Sequence, residues 1–439
     1  MDNLNLLTVF EYATVRVGNG LTAPQYKALQ TYYGEKGVPF YSLINNGARF
    51  CQYVGVLQIG NLTIEILPKV DKLGDTATWK KRLIDMLKTV GLFKIHAPSS
   101  SALTLKSNSI LDLYLDLYLT EIEYLLHRGL VKRYRKTEGN TTALKGNLQF
   151  SKHIQQNLVH QERFYVNYTT YDAQHSIHSI LYKALRLVKH INTKNALNSR
   201  IGALLLNFPE MPDVKVSEAT FERITYNRKD EHYQTALEIA RLLLLNYHPD
   251  VSKGRNHVLA LLFDMNLLWE QFVYVSLRKQ HQKTHPHYKI LPQVKANFWQ
   301  PTKGEISRLK PDIVIETDAE TRIVLDTKWK NLNGQNPTPE DLRQMYVYHD
   351  YFDAVKVALV YLIDGKTSLQ SGNFMDTKPD NLKAKDEQGD IVDKKIPNTK
   401  PNNLKAKECS IISIATVESD INDWQTHIFQ TINDWLNST

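Results

Sequence analysis

Cysteine is scarce in this chain: Cys51 and Cys409 are the only two in 439 residues, and they lie far apart. That rules out a disulfide scaffold and a multi-cysteine zinc site, and it fits a reducing compartment. Long apolar runs are missing as well. None approaches the roughly 20 residues that span a bilayer, so no membrane partner is expected. The opening stretch, MDNLNLLTVFEYATVRVGNG, has no basic segment leading into an apolar core and does not read as a signal peptide. The 15 histidines form no HExxH or other compact metal spacing, and HQKTHPHY (281–288) reads as a polar loop. DGKTS (364–368) resembles the end of a phosphate-binding loop. Its first glycine would fall at Val360, however, and no helical pattern follows, so no nucleotide cradle is expected. A soluble cytoplasmic protein is the expectation that these absences leave.

What is present is an ordinary globular composition, 42% hydrophobic and 23% charged. The length predicts two or three domains. The net charge of +8 suits a polyanionic partner without requiring one.

The pattern changes along the chain. Residues 1–100 read as a strand-rich domain. TVFEYATVRVG (8–18) and FCQYVGVLQIG (50–60) are strand candidates, and Gly60-Asn61 turns the second into LTIEILPKV as a hairpin. A short amphipathic helix is expected from Trp79 to Val90. Residues 101–255 read as mainly helical, with helices over 111–129, 176–191 and 232–245. Gly129 closes the first of them. Residues 256–439 form a third region. VLALLFDMNLLWEQFVYVSLRKQ (258–280) reads as one long buried helix, followed by strand candidates YKILPQVKANF, PDIVIE and RIVLDTKW. In PTPEDLRQMYVYHDYF (337–352), Thr338 as N-cap and Pro339 at the first helical position predict a helix start. KVALVYLID (356–364) is a buried strand. The order is α-β-β-β-α-β. Residues 371–409 interrupt it with a near repeat, TKPDNLKAKDE (377–387) and TKPNNLKAKEC (399–409), which reads as an exposed, mobile insertion. SIISIATV then resumes a strand, and DINDWQTHIFQTINDWL closes as a helix.

Chemistry concentrates in KPDIVIETDAETRIVLDTKWK (310–330). Folded as a hairpin with Asp318, Ala319 and Glu320 in the loop, the segment sets position 312 opposite 326. Asp312 and Asp326 then have Cβ atoms about 5 Å apart. Asp326 and Lys328, two apart on one strand, point to the same face. Two unpaired carboxylates at that distance repel, and a divalent cation between them removes the penalty. Few hard oxygen ligands, with water completing the shell, suit Mg²⁺, with Mn²⁺ as the alternative. Such a cation polarises a phosphodiester and activates water, and a lysine beside it orients the water or neutralises developing charge. The bland alternative is a solvated salt-bridge network. The bare motif is degenerate: Pro379-Asp380 with Asp393 and Lys395 matches it too, but lies in the polar insertion without strand context.

Supporting positions have competing readings. Glu270 interrupts the apolar run LLWEQFVYV, either as an inward carboxylate that adds a metal ligand or orients water, or as part of an exposed stripe. Gln344 and Tyr348 share a helix face and could hydrogen-bond phosphate or the carboxylates, although Tyr348 could also be simple core. HRGLVKRYRK (127–136) is a candidate contact to DNA phosphates or an acidic partner, or a solvated helix end.

The chain resembles the McrC family, the nuclease subunits of McrBC-type modification-dependent restriction systems. The resemblance rests on YVGVLQIGNLTIEILPKV (53–70), HRGLVKRY with LKGNL (144–148), FDMNLLWEQFV (263–273), LKPDIVI, LDTKWK and RQMYVYHDY. It implies a multi-domain α/β protein with a C-terminal PD-(D/E)xK domain of restriction-endonuclease type. It implies an N-terminal portion that docks on a McrB-like ring of GTP-hydrolysing AAA+ subunits and stimulates it. The implied substrate is double-stranded DNA carrying modified cytosine. Residue by residue, Asp312, Asp326 and Lys328 match the catalytic positions, Glu270 the helix acid, and Gln344 and Tyr348 the helix motif. The insertion at 371–409 and the histidines of DAQHSIHSIL (172–181) depart from the family pattern. A stand-alone repair nuclease and a non-catalytic GTPase-stimulating adaptor are the rival readings.

Overall fold

A computed structural model describes residues 6–59, 62–68, 76–91, 110–192, 195–248, 258–317, 321–363, 365–374, 381–385, 391–395, 407–416 and 420–438. The start of the chain is rich in strands. Tyr53–Ile59 and Leu62–Leu67 pair antiparallel, and Leu6–Phe10 lies parallel to the latter. The connecting Gly60-Asn61 falls outside the described residues. TVFEYATVRVG is not one strand: it breaks between Leu6–Phe10 and Thr14–Val17, with Tyr12 at φ 59°.

The single helix expected over 258–280 is corrected. Val258–Asp264 is a strand, paired antiparallel with Tyr53–Ile59, and the helix is Met265–Thr284. Asp264 makes the boundary: its side chain accepts hydrogen bonds from the amides of Asn266 and Leu267. A continuous apolar run cannot by itself distinguish a buried strand from a buried helix. The pairing also explains Gly55, whose φ is 130°. A Cβ there would meet the Leu261 carbonyl oxygen at 2.2 Å.

Three helices of the middle region form as expected, as Ile110–Arg128, Ser176–Ile191 and Gln234–Leu245. The mainly helical reading missed a three-stranded sheet between the first two. Arg133–Thr141 and Phe164–Asp172 pair antiparallel, and Asn147–Leu148 adds to the latter. The basic segment HRGLVKRYRK therefore runs from a helix end into a strand. Tyr134 and Tyr171 meet at 4.7 Å between ring centroids on this sheet, tilted by 40°.

The third region centres on a six-stranded sheet. Its order is Lys289–Pro292, Ile313–Glu316, Arg322–Lys328, Ala354–Ile363, Glu408–Ala415 and Ser368–Asn373. With alternation along each strand, Ile313, Ile315, Ile323, Leu325 and Val360 bury against one face together with Trp269, Phe272 and Trp424. Helices Met265–Thr284 and Ile421–Asn437 supply those aromatics. Val314, Val324, Leu359 and Tyr361 bury on the other face with Met345 and Tyr348 from helix Pro339–Tyr351. Thr338 caps that helix by accepting from the Asp341 amide, with Pro339 in its first turn.

Within the sheet and its helices the order α-β-β-β-α-β holds. YKILPQVKANF is split, however. Lys289–Pro292 joins the sheet, while Ala296–Trp299 pairs with Ser307–Leu309 in a separate two-stranded ribbon. The ends of the expected insertion also differ. Ser368–Asn373 and Glu408–Ala415 pair antiparallel at the sheet edge, so residues 371–373 and 408–409 belong to the sheet. Asn381–Lys385 and Ile391–Lys395 form a hairpin of their own; most of the second repeat copy lies outside the described residues. Among the described residues, no helix is long and apolar enough to cross a membrane.

Candidate functional site

The hairpin at 312–328 has the expected register. Ile313 pairs with Leu325 and Glu316 with Arg322, which sets position 312 opposite 326. Thr317 and Thr321 close it through a 3.0 Å backbone hydrogen bond; the loop residues 318–320 fall outside the described residues. Asp312 stands just before its strand. Its Oδ2 accepts from the Thr327 amide at 2.6 Å and from the Thr327 hydroxyl at 2.8 Å. Burial raises the Asp312 carboxyl above the usual range, and these two hydrogen bonds oppose the shift.

Asp326 is the most enclosed member, with its side chain 2% exposed. Its Oδ1 accepts from Gln344 Nε2 at 3.1 Å. Its Oδ2 pairs with Lys328 Nζ at 2.6 Å. Burial, and then repulsion from Asp312, push the Asp326 carboxyl up to about 7. Lys328 keeps its proton: burial works against the charge, but Asp326, Asp341 and Asp312 outweigh it and raise the ammonium above its ordinary value.

Gln344 binds the cluster together. Its Oε1 accepts from Lys328 Nζ at 3.1 Å, and its Nε2 donates to Tyr348 Oη at 2.8 Å as well as to Asp326. Tyr348 is thus both core and part of the polar network, so the two sequence readings of it are compatible. Glu270 is half-buried and turned toward the cluster, not on an exposed stripe. Burial and the nearby Asp312 lift its carboxyl to about 7, and Gln293 Nε2 donates to its Oε1 at 2.7 Å.

Sequence reasoning did not single out four residues that support this arrangement. Thr327 fixes Asp312. Gln293 holds Glu270, and its amide donates to the Asp312 carbonyl at 2.9 Å. Asp341 accepts from Lys330 at 2.6 Å and from Tyr361 at 3.0 Å, and lies 3.8 Å from Lys328 Nζ. Lys310 acts through its charge on Glu270 and Asp312. Only Asp341 carried a signal, as an acid in the first turn of a capped helix, and that position has a sufficient local explanation in the helix dipole.

Among the described residues, no group of three or more His, Cys, Asp and Glu side chains is placed to hold a metal ion. Asp312, Asp326 and Glu270 instead influence one another electrostatically from the hairpin and the adjoining helix. Lys328 serves as the counter-ion of Asp326. The basic segment divides differently: Arg133 pairs with Asp230 at 2.5 Å and Arg135 with Asp172 at 3.2 Å, while Lys132, Tyr134 and Lys136 alternate on an exposed edge.

The fold and site define a multi-domain α/β protein with an acid–lysine cluster on a mixed sheet between helices. A family model described as "McrBC 5-methylcytosine restriction system component" matches residues 48–362, and the chain belongs to that family. Among solved structures, it is similar to a half-complex from a tetradecameric assembly of Thermococcus gammatolerans McrB AAA+ hexamers with bound McrC. That likeness has 20% identity and a TM-score of 0.66, and covers 98% of this chain and 100% of that one. It is a likeness of fold. The cryo-EM structure of the Thermococcus gammatolerans McrBC complex matches at 21% identity and a TM-score of 0.48, over 62% of this chain and 87% of that one. Among curated proteins, none matches the chain.

Proposed function

We propose that this chain is the Mg²⁺-dependent endonuclease subunit of a restriction complex that cuts double-stranded DNA carrying modified cytosine, and that it docks on and stimulates a GTP-hydrolysing AAA+ ring. The six-stranded region is then a PD-(D/E)xK domain of restriction-endonuclease type. The observation that carries this reading is the enclosure of Asp312, Asp326 and Lys328 at one end of a hairpin, with the buried Asp326 Oδ2 2.6 Å from Lys328 Nζ.

Carboxylate oxygens are the hard donors that this cation takes. Asp312, Asp326 and Glu270 would supply them, with water completing the shell, since no three of them make a ready-made site among the described residues. The Asp326 and Glu270 carboxyls are raised first by burial and then by Asp312. Bound there, Mg²⁺ or Mn²⁺ supplies Lewis-acid polarisation of a phosphodiester. The chain's own residues do the positioning. Thr327 pins Asp312, and Gln344 fixes Asp326 and Lys328 relative to each other. The Lys328 ammonium stabilises negative charge that grows on the phosphate oxygens. Glu270 orients the attacking water.

The docking half of the proposal has its own support. The similar solved structure is of McrC bound to McrB AAA+ hexamers, and an equivalent partner suits this chain. Phe150, Ile154 and Leu158 form an apolar stripe on and just beyond helix Phe150–Asn157, with Phe150 70% exposed. An unburied stripe of this kind marks a contact surface.

The test combines the purified chain with its ring partner, GTP, Mg²⁺ and DNA with or without modified cytosine. Modified DNA should be cut. Asp326→Ala should abolish cutting yet still raise GTP hydrolysis by the ring, whereas Phe150→Ala with Ile154→Ala should lose the stimulation. Cutting by Asp326→Ala at the parental rate would remove the nuclease assignment.

A further inference from the structure

The ribbon formed by Ala296–Trp299 and Ser307–Leu309 is the second unusual feature beside the site. Among the described residues, its strands pair with each other and with no strand of the six-stranded sheet. Its register shifts between Asn297 and Trp299, which leaves Phe298 as the extra residue of a bulge. Phe298 is 45% exposed and sets its ring edge-on to Tyr351, 5.1 Å between centroids. Trp299 is 59% exposed. The other five tryptophans, Trp79, Trp269, Trp329, Trp424 and Trp435, are all buried, so Trp299 alone of its kind is left in water, at a cost the fold does not recover by itself.

The charges of the ribbon segment 295–310 have one dominant sign. Lys295, Lys303, Arg308 and Lys310 are all exposed, against the single acid Glu305. Arg308 is steadied by Asn297 across the ribbon at 3.3 Å. A basic two-stranded ribbon with an aromatic edge matches the width and charge of a duplex groove, since the major groove of B-form DNA admits such an element.

Both ends of the ribbon are built into the acid–lysine cluster. Before the ribbon, Gln293 bonds to the Asp312 carbonyl and holds Glu270. After it, Lys310 directly precedes Pro311 and Asp312 and acts by charge on Glu270 and Asp312. A ligand seated on the ribbon therefore lies next to the carboxylates.

We infer that the ribbon Ala296–Leu309 is a double-stranded DNA contact that seats the duplex beside the cleaved phosphodiester, with Lys303 and Arg308 on phosphates and Trp299 against the groove wall. This rests on the reading of the site as DNA-cleaving. The occupant is DNA and not a protein surface because the ribbon's charge is basic and its ends converge on the cluster proposed to act on phosphodiesters.

The test measures binding apart from cutting. The full-length chain, without divalent metal, is titrated against a short fluorescent duplex across a range of salt concentrations. Parent, Trp299→Ala and Lys303→Ala with Arg308→Ala are compared. Trp299→Ala should weaken binding about tenfold. The double variant should lower the slope of log affinity against log salt by about 2, roughly 0.9 for each phosphate that no longer meets a cation. Melting temperatures should match the parent, since these side chains are exposed. Unchanged affinity and slope in both variants, or a parent that binds no duplex, would overturn the inference. So would loss of ring stimulation with DNA binding intact, which would make the ribbon a protein contact. Cleavage by the parent with partner and metal, run in parallel, separates this failure from failure of the nuclease reading.

Discussion

Trp329 Nε1 donates a 2.7 Å hydrogen bond to Glu11 Oε1 across 318 positions of sequence. Glu11 is fully buried, and Trp329 directly follows Lys328. The Trp329 ring also meets Trp79 at 6.3 Å and Trp269 at 5.6 Å between centroids. Trp269 is the neighbour of Glu270. The end of the strand that carries the lysine and the turn of helix that carries the glutamate thus share one aromatic cluster with the N-terminal part of the chain.

Trp329→Phe is expected to keep most of the ring packing and lose the bond to a buried carboxylate. The loss should be about 2 kcal/mol, read by urea unfolding. Cleavage should also fall, because Lys328 sits on the loosened strand end. Parental stability in the variant would show that the Glu11 hydrogen bond contributes nothing.

Asp326→Asn should separate stability from activity. The raised carboxyls of Asp326 and Glu270 mean that, between about pH 4 and 7, the folded metal-free protein binds more protons than the unfolded chain. Their contribution is therefore present at low pH and is lost as pH rises toward 7. At pH 8 with chelator, the variant should be more stable than the parent by about 1–2 kcal/mol, after allowance for the lost Lys328 pair. It should not cut DNA. A variant less stable than the parent at pH 8 would refute the account of a carboxyl raised by burial and by Asp312.

Gln344→Ala removes a side chain that hydrogen-bonds Asp326, Lys328 and Tyr348 together. Cleavage should drop about 10- to 100-fold, the range seen when groups that orient catalytic ligands are lost. Tyr348→Phe should cost less, because its hydroxyl acts through Gln344. Equal effects from the two variants, measured in the same cleavage assay, would mean that Tyr348 has a direct role.

Acid should destabilise the protein through two buried histidines. His178 and His281 have pKa values lowered to about 4, in both cases first by burial. Each must take up a proton on unfolding below pH 6.5, so stability present at neutral pH is lost as pH falls toward 4. His281 is 2% exposed, and among the described residues neither ring nitrogen has a hydrogen-bond partner. His281→Phe should flatten the melting-temperature profile between pH 6.5 and 4 and recover about 2 kcal/mol at the acid end. An unchanged profile would remove His281 from the account.

The sequence by itself determined the elements whose signals are local. The helix Pro339–Tyr351 begins where Thr338 and Pro339 said it would, and helix Ser176–Ile191 matches its 3.6-residue period from end to end. The hairpin register followed from a loop placed at Asp318, Ala319 and Glu320, which sets 317 opposite 321 and 312 opposite 326, and the observed pairing agrees. A helix with equally local signals went unread: Thr22, Pro24 and Gln25 cap Ala23–Tyr33, with the capping box in place.

Tertiary structure decided what depends on distant partners. Val258–Asp264 is a strand because Tyr53–Ile59 offers its edge, some 200 positions away in the chain. Arg133–Thr141 is a strand because Phe164–Asp172 pairs with it, although its own sequence is polar. Asp312, Asp326 and Lys328 were legible as neighbours because one hairpin carries them. Glu270, Gln293 and Asp341 became part of the cluster only when helix and sheet packed, since period places a side chain on a face but not opposite a particular charge. Burial did the rest: in water these carboxyls would ionise near pH 4, and only the closed interior lifts Asp326 and Glu270 to about 7.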